Sequence, residues 1–114
     1  MQPANALLVV KLTHTLVWAF FAGLIVTIPL ASIQGKHALA AWSAAAVAGE
    51  VLVLAANGFR CPLTAIAARY TDDRRDNFDI YLPQWLARHN KLIFGTLYLA
   101  GMAFAVVRWA LAGE

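Results

Sequence analysis

The chain has 114 residues, of which 61% are hydrophobic and 13% are charged. Soluble domains usually carry about 25% charged residues, and a chain this short cannot bury so much apolar surface by folding in water. The net charge of +3 comes from residues too few and too scattered to line a nucleic-acid groove. A single cysteine excludes a disulfide framework within the chain. The composition predicts a small, single-domain, all-α integral membrane protein.

Three apolar stretches are long enough to cross a membrane, which requires about 20 residues of helix. They cover residues 12–32, 38–59 and 92–111. The first stretch contains no charged residue, the second contains Glu50, and the third contains Arg108 near its end. A signal peptide is a poorer interpretation of the first stretch, because the apolar core of a signal peptide spans about 7–15 residues. We therefore expect three transmembrane helices.

The basic residues are distributed unequally between the two sides of this topology. Two of them, Lys36 and Arg108, lie on one side. The other side carries seven: Lys11, Arg60, Arg69, Arg74, Arg75, Arg88 and Lys91. Because basic loops remain in the cytoplasm, we expect a multi-pass membrane protein with a cytoplasmic N-terminus. Cys61 would then face a reducing compartment and remain a thiol.

The long connection over residues 60–90 has the pattern of a structured inner loop. Pro62 suits the first position of a short helix that ends near Tyr70, with Cys61 as its cap. Apolar residues then recur at the spacing of one helix face, at Phe78, Tyr81, Leu82, Trp85 and Leu86. This spacing predicts an interfacial amphipathic helix beginning near Leu82, with Pro83 in its first turn. Tyr81 and Trp85 would lie at headgroup depth, and the segment would bend into the third span near Asn90.

Polar residues within the spans are the candidates for a binding site. A charged carboxylate at the position of Glu50 costs about 2.5–3.5 kcal/mol. Glu50, Asn57 and Cys61 are spaced so that a continuous helix would place them on one face. His14 lies in the first span and could ligate a haem or donate a proton. His14, Glu50 and Asn57 are therefore candidate cofactor-binding residues, for haem b or a quinone, with interhelical hydrogen bonding as the alternative.

The sequence contains no recognisable catalytic or metal-binding motif. It lacks the HExxH pattern, paired cysteines, a two-histidine helix and a phosphate-binding glycine pattern. We therefore predict no metal site and no catalytic residue. His37 follows the first span beside Lys36, and we expect it to be solvated.

Several short motifs resemble those of a family of small, uncharacterised bacterial inner-membrane proteins. The chain reads NGFRCPLT from Asn57, NFDIYLP from Asn77 and WLARHNKLIFG from Trp85, with His-Thr-Leu at residues 14–16. The family has a Cys-Pro-Leu-Thr motif after the second span and a Phe-Asp-x-x-Leu-Pro element before the third. The resemblance covers nearly the whole chain and implies this topology but no reaction. It points to His14, Glu50, Arg60, Cys61, Pro62, Thr64, Phe78, Asp79 and Pro83.

Asp79 and Trp85 are predicted to hold the loop in place. If the loop folds back under the second span, Asp79 can pair with Arg60 or Arg69 and hold the loop beneath the bundle. Trp85 would anchor the same loop at the membrane surface.

Three functions are compatible with these features. The first is a non-catalytic accessory subunit, or a helix-packing partner, in a larger inner-membrane complex or a homo-oligomer. It is favoured by the small residues of the second span, which allow helices to approach closely. The second is a haem- or quinone-binding redox protein that uses His14, with Glu50 as the proton group. The third is a small proton-linked carrier. The expected partners are the lipid bilayer and other membrane subunits or further copies of the chain.

Overall fold

The structure, a computed structural model, describes residues 2–58 and 61–112 and contains four helices in that part of the chain. These are α1 (Pro3–Ile33), α2 (His37–Ala56), α3 (Pro62–Ala67) and α4 (Gln84–Ala112). No strand occurs among the described residues. Helices α1, α2 and α4 are each long and apolar enough to cross a membrane. The predictions of an all-α fold and of three candidate spans are confirmed.

Helix α1 is longer than the predicted first span. It begins at Pro3, whose fixed φ angle and missing N–H suit the start of a helix. Its 31 residues extend over about 46 Å, whereas the hydrocarbon core of a bilayer is about 30 Å thick. The helix therefore exceeds the length that the hydrocarbon core requires by several turns.

Helix α2 ends at Ala56, three residues before the predicted end of the second span. Gly58 has a φ of 67°, the left-handed conformation in which helices commonly stop. The Asn57 N–H donates to the carbonyls of both Val53 and Leu54, at 3.1 Å each. The helix therefore does not continue from Glu50 to Cys61, and the predicted polar face over Glu50, Asn57 and Cys61 is not formed.

The segment between α3 and α4 differs from the predicted interfacial helix. Residues 75–82 form turns and bends, so Phe78 and Tyr81 do not share a helix face with Trp85. Pro83 explains the difference, because proline disfavours helical geometry at the residue before it. The Pro83 carbonyl accepts a hydrogen bond from the Ala87 N–H at 3.0 Å. A helix therefore starts only at Gln84, and it continues through Asn90 as part of the 29-residue α4.

The first of two compact units comprises Met1–Ala19 and Val51–Asn90. It contains the start of α1, the end of α2, all of α3, the following loop and the first turns of α4. Its buried apolar residues are few: Ala6, Val10, Ala67 and Ile80. Asp79 is buried beside them with 6% of its surface exposed. This unit is therefore built around a polar residue as well as an apolar core.

The second unit comprises Phe20–Glu50 and Lys91–Glu114. Its buried residues include Ile25, Ile28, Ala40 and Val47. At Gly101 of α4, an added Cβ would lie 3.4 Å from the Cδ atom of Pro29 in α1. An alanine at Gly101 would therefore make ordinary van der Waals contact with α1, and a larger side chain would require Pro29 or Ile28 to shift.

Candidate functional site

Asp79 is the centre of a polar cluster in the first unit. The Thr64 hydroxyl donates a hydrogen bond to the Oδ2 atom of Asp79. The Nδ1 atom of His14 lies 3.1 Å from the Asp79 carbonyl oxygen and 3.5 Å from its Oδ2 atom. Asp79 thus brings together α1, α3 and the loop, which are separated by up to 65 residues in the sequence.

A second contact joins the same loop to α1 one residue further along. The Tyr81 N–H donates to the Oγ1 atom of Thr15 at 2.9 Å, and the Thr15 hydroxyl donates to the Lys11 carbonyl at 2.7 Å. The Lys11 ammonium lies 4.4 Å from the centre of the Tyr81 ring, a cation–π distance. We call His14, Thr15, Thr64, Asp79 and Tyr81 the loop anchor.

The local sequence explains how the side chains of the loop anchor are positioned. Cys61 has the extended backbone of an N-cap residue and its carbonyl accepts a hydrogen bond from the Thr64 N–H at 2.9 Å. Pro62 occupies the first turn of α3, as suits a residue without an N–H. Consecutive residues His14 and Thr15 face the loop from α1. The Cys-Pro-Leu-Thr and Phe-Asp elements thus meet through Thr64 and Asp79.

The loop anchor is not arranged like a catalytic triad. In a triad, the nucleophilic hydroxyl bonds to an imidazole, which in turn bonds to a carboxylate. Here the Thr64 hydroxyl donates directly to the Asp79 carboxylate, and Nδ1 of His14 lies 3.5 Å from the same Oδ2 atom. Both groups facing Nδ1 of His14 are acceptors, so Nδ1 is the donor in these contacts. This geometry supports a structural connection better than a nucleophile.

The polar turn after α3 is held by its own charges. Arg75 donates to the Asp73 carboxylate, with the closest contact at 2.8 Å. These hydrogen bonds lower the pKa of Asp73 to about 2. The Arg74 guanidinium donates to the Ala68 carbonyl at 3.2 Å and so caps the end of α3. Asp76 pairs with Arg88 of α4 at 2.9 Å, and this hydrogen bond lowers the pKa of Asp76.

Several predicted structural residues have other surroundings than expected. The pairing of Asp79 with Arg69 is wrong, since Asp79 instead contacts Thr64 and His14. The predicted pairing with Arg60 lies outside the described residues. The side chain of Phe78 lies 5.2 Å below the Arg74 guanidinium. Trp85 is 62% exposed in the first turn of α4, and its predicted position at headgroup depth stays a prediction.

The candidate cofactor-binding residues belong to both units. His14 belongs to the loop anchor, and Asn57 is exposed in the turn that follows α2. Glu50 belongs to the second unit and makes no hydrogen bond or ion pair with the described residues of that unit. No group of three or more His, Cys, Asp or Glu side chains that could hold a metal occurs within residues 2–58 and 61–112.

Other polar contacts had no clear sequence signal. The Trp18 indole N–H donates to the Asn90 amide oxygen at 2.8 Å. In the second unit, Arg108 donates to the carbonyls of Ser32 and Ile33 at 3.2 Å each, which satisfies two groups at the C-terminus of α1. Thr15 could have been suggested by its position next to His14, but its partner Tyr81 is 66 residues away.

Comparison of the chain with protein-family models, with curated proteins and with solved structures finds no match. The resemblance to the family with the Cys-Pro-Leu-Thr motif therefore stays a hypothesis. The loop anchor and the three apolar helices are the features from which a function has to be inferred.

Proposed function

We propose that this protein is a small, non-catalytic integral membrane subunit whose helices pack against other membrane helices, in a larger inner-membrane complex or a homo-oligomer. The observation that carries the proposal is how little of each span is buried within the chain. Of the most apolar 18 residues, 22% are buried in α1, 17% in α2 and 6% in α4. Most of the apolar surface is thus available to lipid or to other helices.

The exposed apolar residues include large side chains in every span. Leu16 is 71% exposed in α1, Leu52 is 70% exposed in α2 and Leu99 is 65% exposed in α4. Membrane helices associate through close van der Waals packing, which small residues such as those of α2 allow. Exposed faces that combine small and large apolar residues suit such packing.

The loop anchor supports the same proposal. Hydrogen bonds from Thr64 and His14 to Asp79 hold the loop against α1 and α3. A loop fixed in this way presents one defined surface to a partner, whereas a mobile loop would have to lose conformational entropy on binding. The loop anchor would therefore favour association with a partner.

Photo-crosslinking in native membranes tests the proposal. The photoreactive residue p-benzoylphenylalanine replaces Leu16, Leu52 or Leu99 in separate variants, and replaces Asp72 in the polar turn as a control. A helix-packing subunit should give a protein adduct of discrete mass from at least one span position and none from position 72. Lipid adducts alone from all three span positions would contradict the proposal.

A second candidate is supported by the orientation of His14. Histidines that ligate metals usually donate their other ring N–H to a carbonyl or carboxylate, and Nδ1 of His14 has both acceptors of Asp79 within 3.5 Å. This candidate is a haem-binding membrane protein with Nε2 of His14 as an axial ligand. The purified protein would then show a Soret absorbance band that disappears in His14→Ala. A spectrum without that band would rule this candidate out.

A further inference from the structure

The second unit contains a cleft with a volume of about 400 Å³, within the range typical of small-molecule sites. Its walls come from α2 and α4, with Ile28 contributed by α1. The apolar part of the lining consists of Ile28, Ala38, Ala40, Ala41, Ala44, Met102, Ala105, Val106 and Trp109. The small alanine side chains of α2 leave this space open. A cleft with such walls suits a hydrocarbon chain.

Apart from the indole N–H of Trp109, His37 has the only polar side-chain group among the described residues that line the cleft. Its Nδ1 atom is buried and has no hydrogen-bond partner among the residues that the structure describes. Burying a polar atom without a hydrogen-bond partner is unfavourable, and protein structures rarely contain such an atom. The expectation that His37 is solvated is therefore wrong for this nitrogen. A ligand with a polar group at this position would supply the missing hydrogen bond.

The charges near His37 indicate the chemistry of that polar group. Lys36 precedes His37 and is exposed. His37 is the first residue of α2, so the N–H groups of the first helical turn lie at the same place. Glu50 is the only carboxylate among the described residues of this unit, and it lies about 20 Å further along α2. A cation, a helix N-terminus and no nearby carboxylate favour an anion such as a phosphate.

We propose that this cleft binds an anionic phospholipid, with an acyl chain between α2 and α4 and the phosphate beside His37 and Lys36. The cleft reaches the first residue of α2, where a transmembrane helix meets the headgroup layer, so chain and phosphate can be accommodated together. Trp109 at the cleft matches the preference of tryptophan for that layer. The site goes beyond the proposed function and does not depend on a protein partner.

Native mass spectrometry of the delipidated protein, titrated with dioleoyl phosphatidylglycerol, tests the site. Ala41→Leu places a larger side chain in the cleft, whereas Ala46→Leu makes the same change on α2 outside the cleft lining. Both alanines are exposed, so neither change should disturb folding. We expect binding to be about tenfold weaker in Ala41→Leu, since overpacking of a site typically costs 1–3 kcal/mol, and unchanged in Ala46→Leu. Equal affinities in the two variants would overturn the site.

The headgroup contact is tested separately. His37→Leu removes the ring nitrogens and Lys36→Gln removes the charge, and each should reduce the preference for phosphatidylglycerol over phosphatidylcholine. Equal binding of the two lipids by the parent protein would contradict the proposal. Displacement of the lipid by inorganic phosphate alone would contradict the role of the acyl chain. A change of oligomeric state in Ala41→Leu, without a change in lipid binding, would identify the cleft as a protein interface and overturn the proposal.

Discussion

Asp79→Ala should release the loop from α1. The substitution removes the carboxylate that accepts the Thr64 hydroxyl and lies 3.5 Å from Nδ1 of His14. A hydrogen bond to a charged acceptor is worth about 1.5–3 kcal/mol, and Asp79 is 6% exposed, so water replaces it poorly. We expect local opening of the loop to become easier by about 2 kcal/mol, which corresponds to about 30-fold in the opening equilibrium.

Hydrogen exchange in detergent, followed by mass spectrometry of the peptide around residues 78–84, measures this opening. The Tyr81 N–H reports on the anchor directly, because it donates to Thr15 at 2.9 Å. Asp79→Asn keeps an acceptor oxygen without the charge and should accelerate exchange by about fivefold, an increase equivalent to about 1 kcal/mol.

Asp72→Ala is the matched control for Asp79→Ala. Asp72 is exposed and makes no hydrogen bond or ion pair with the residues that the structure describes. Its replacement should leave exchange over residues 78–84 unchanged. Equal exchange rates in Asp79→Ala and Asp72→Ala would refute the loop anchor.

Three further changes have defined outcomes. The pKa of Asp73 is about 2 in the folded loop against a reference of 3.8, so the contribution of Asp73 to loop structure is complete above pH 3.8 and is lost as the pH falls through about 2. Arg75→Gln should return this pKa toward 3.8 in an NMR titration. An unchanged pKa would contradict the pairing of Asp73 with Arg75. Gly101→Leu should destabilise the protein by about 1–3 kcal/mol through overpacking. Gly95→Leu should not, because a Cβ at Gly95 would have no neighbouring side chain within 4 Å among the described residues. Equal unfolding midpoints of the two variants in detergent would contradict the close α1–α4 contact. Glu50→Gln and Glu50→Leu should each change stability by about 1 kcal/mol or less, and a larger loss in thermal unfolding of the leucine variant alone would reveal a polar partner.

The spans could be predicted because long apolar runs have no other stable arrangement in a chain this short. The end of α2 was also encoded, since Asn-Gly at residues 57–58 is a strong turn signal. The apolar residue at 59 nevertheless led to a prediction three residues too long. Similarly, the apolar spacing from Phe78 to Leu86 predicted one helix face, but the helix begins only after Pro83, so Phe78 and Tyr81 lie outside it.

The loop anchor could be predicted only in part. The motif residues His14, Thr64 and Asp79 were identified, but Asp79 was expected to pair with Arg60 or Arg69, and its contacts with Thr64 and His14 were not predicted. Opposite charge is a reasonable criterion for a surface pair, whereas a buried carboxylate needs donors at hydrogen-bond distance. Which donors lie near Asp79 depends on where α3 places Thr64 and where α1 places His14. These contacts, across 15 and 65 residues, do not follow from the spacing of residues in the sequence. The cleft beside His37 could not be predicted for the same reason, because its walls belong to distant parts of the chain.

The most direct test of a three-span membrane protein is the accessibility of single cysteines from each side of the membrane. In a Cys61→Ser background, Thr71→Cys labels the loop between α3 and α4, and Gln34→Cys labels the turn between α1 and α2. Gln34 is preferable to Gly35, whose φ of 74° disfavours any other residue. Intact inverted and right-side-out vesicles should each label only one of the two positions with a membrane-impermeant maleimide, and labelling of both positions from the same side would contradict the three-span account.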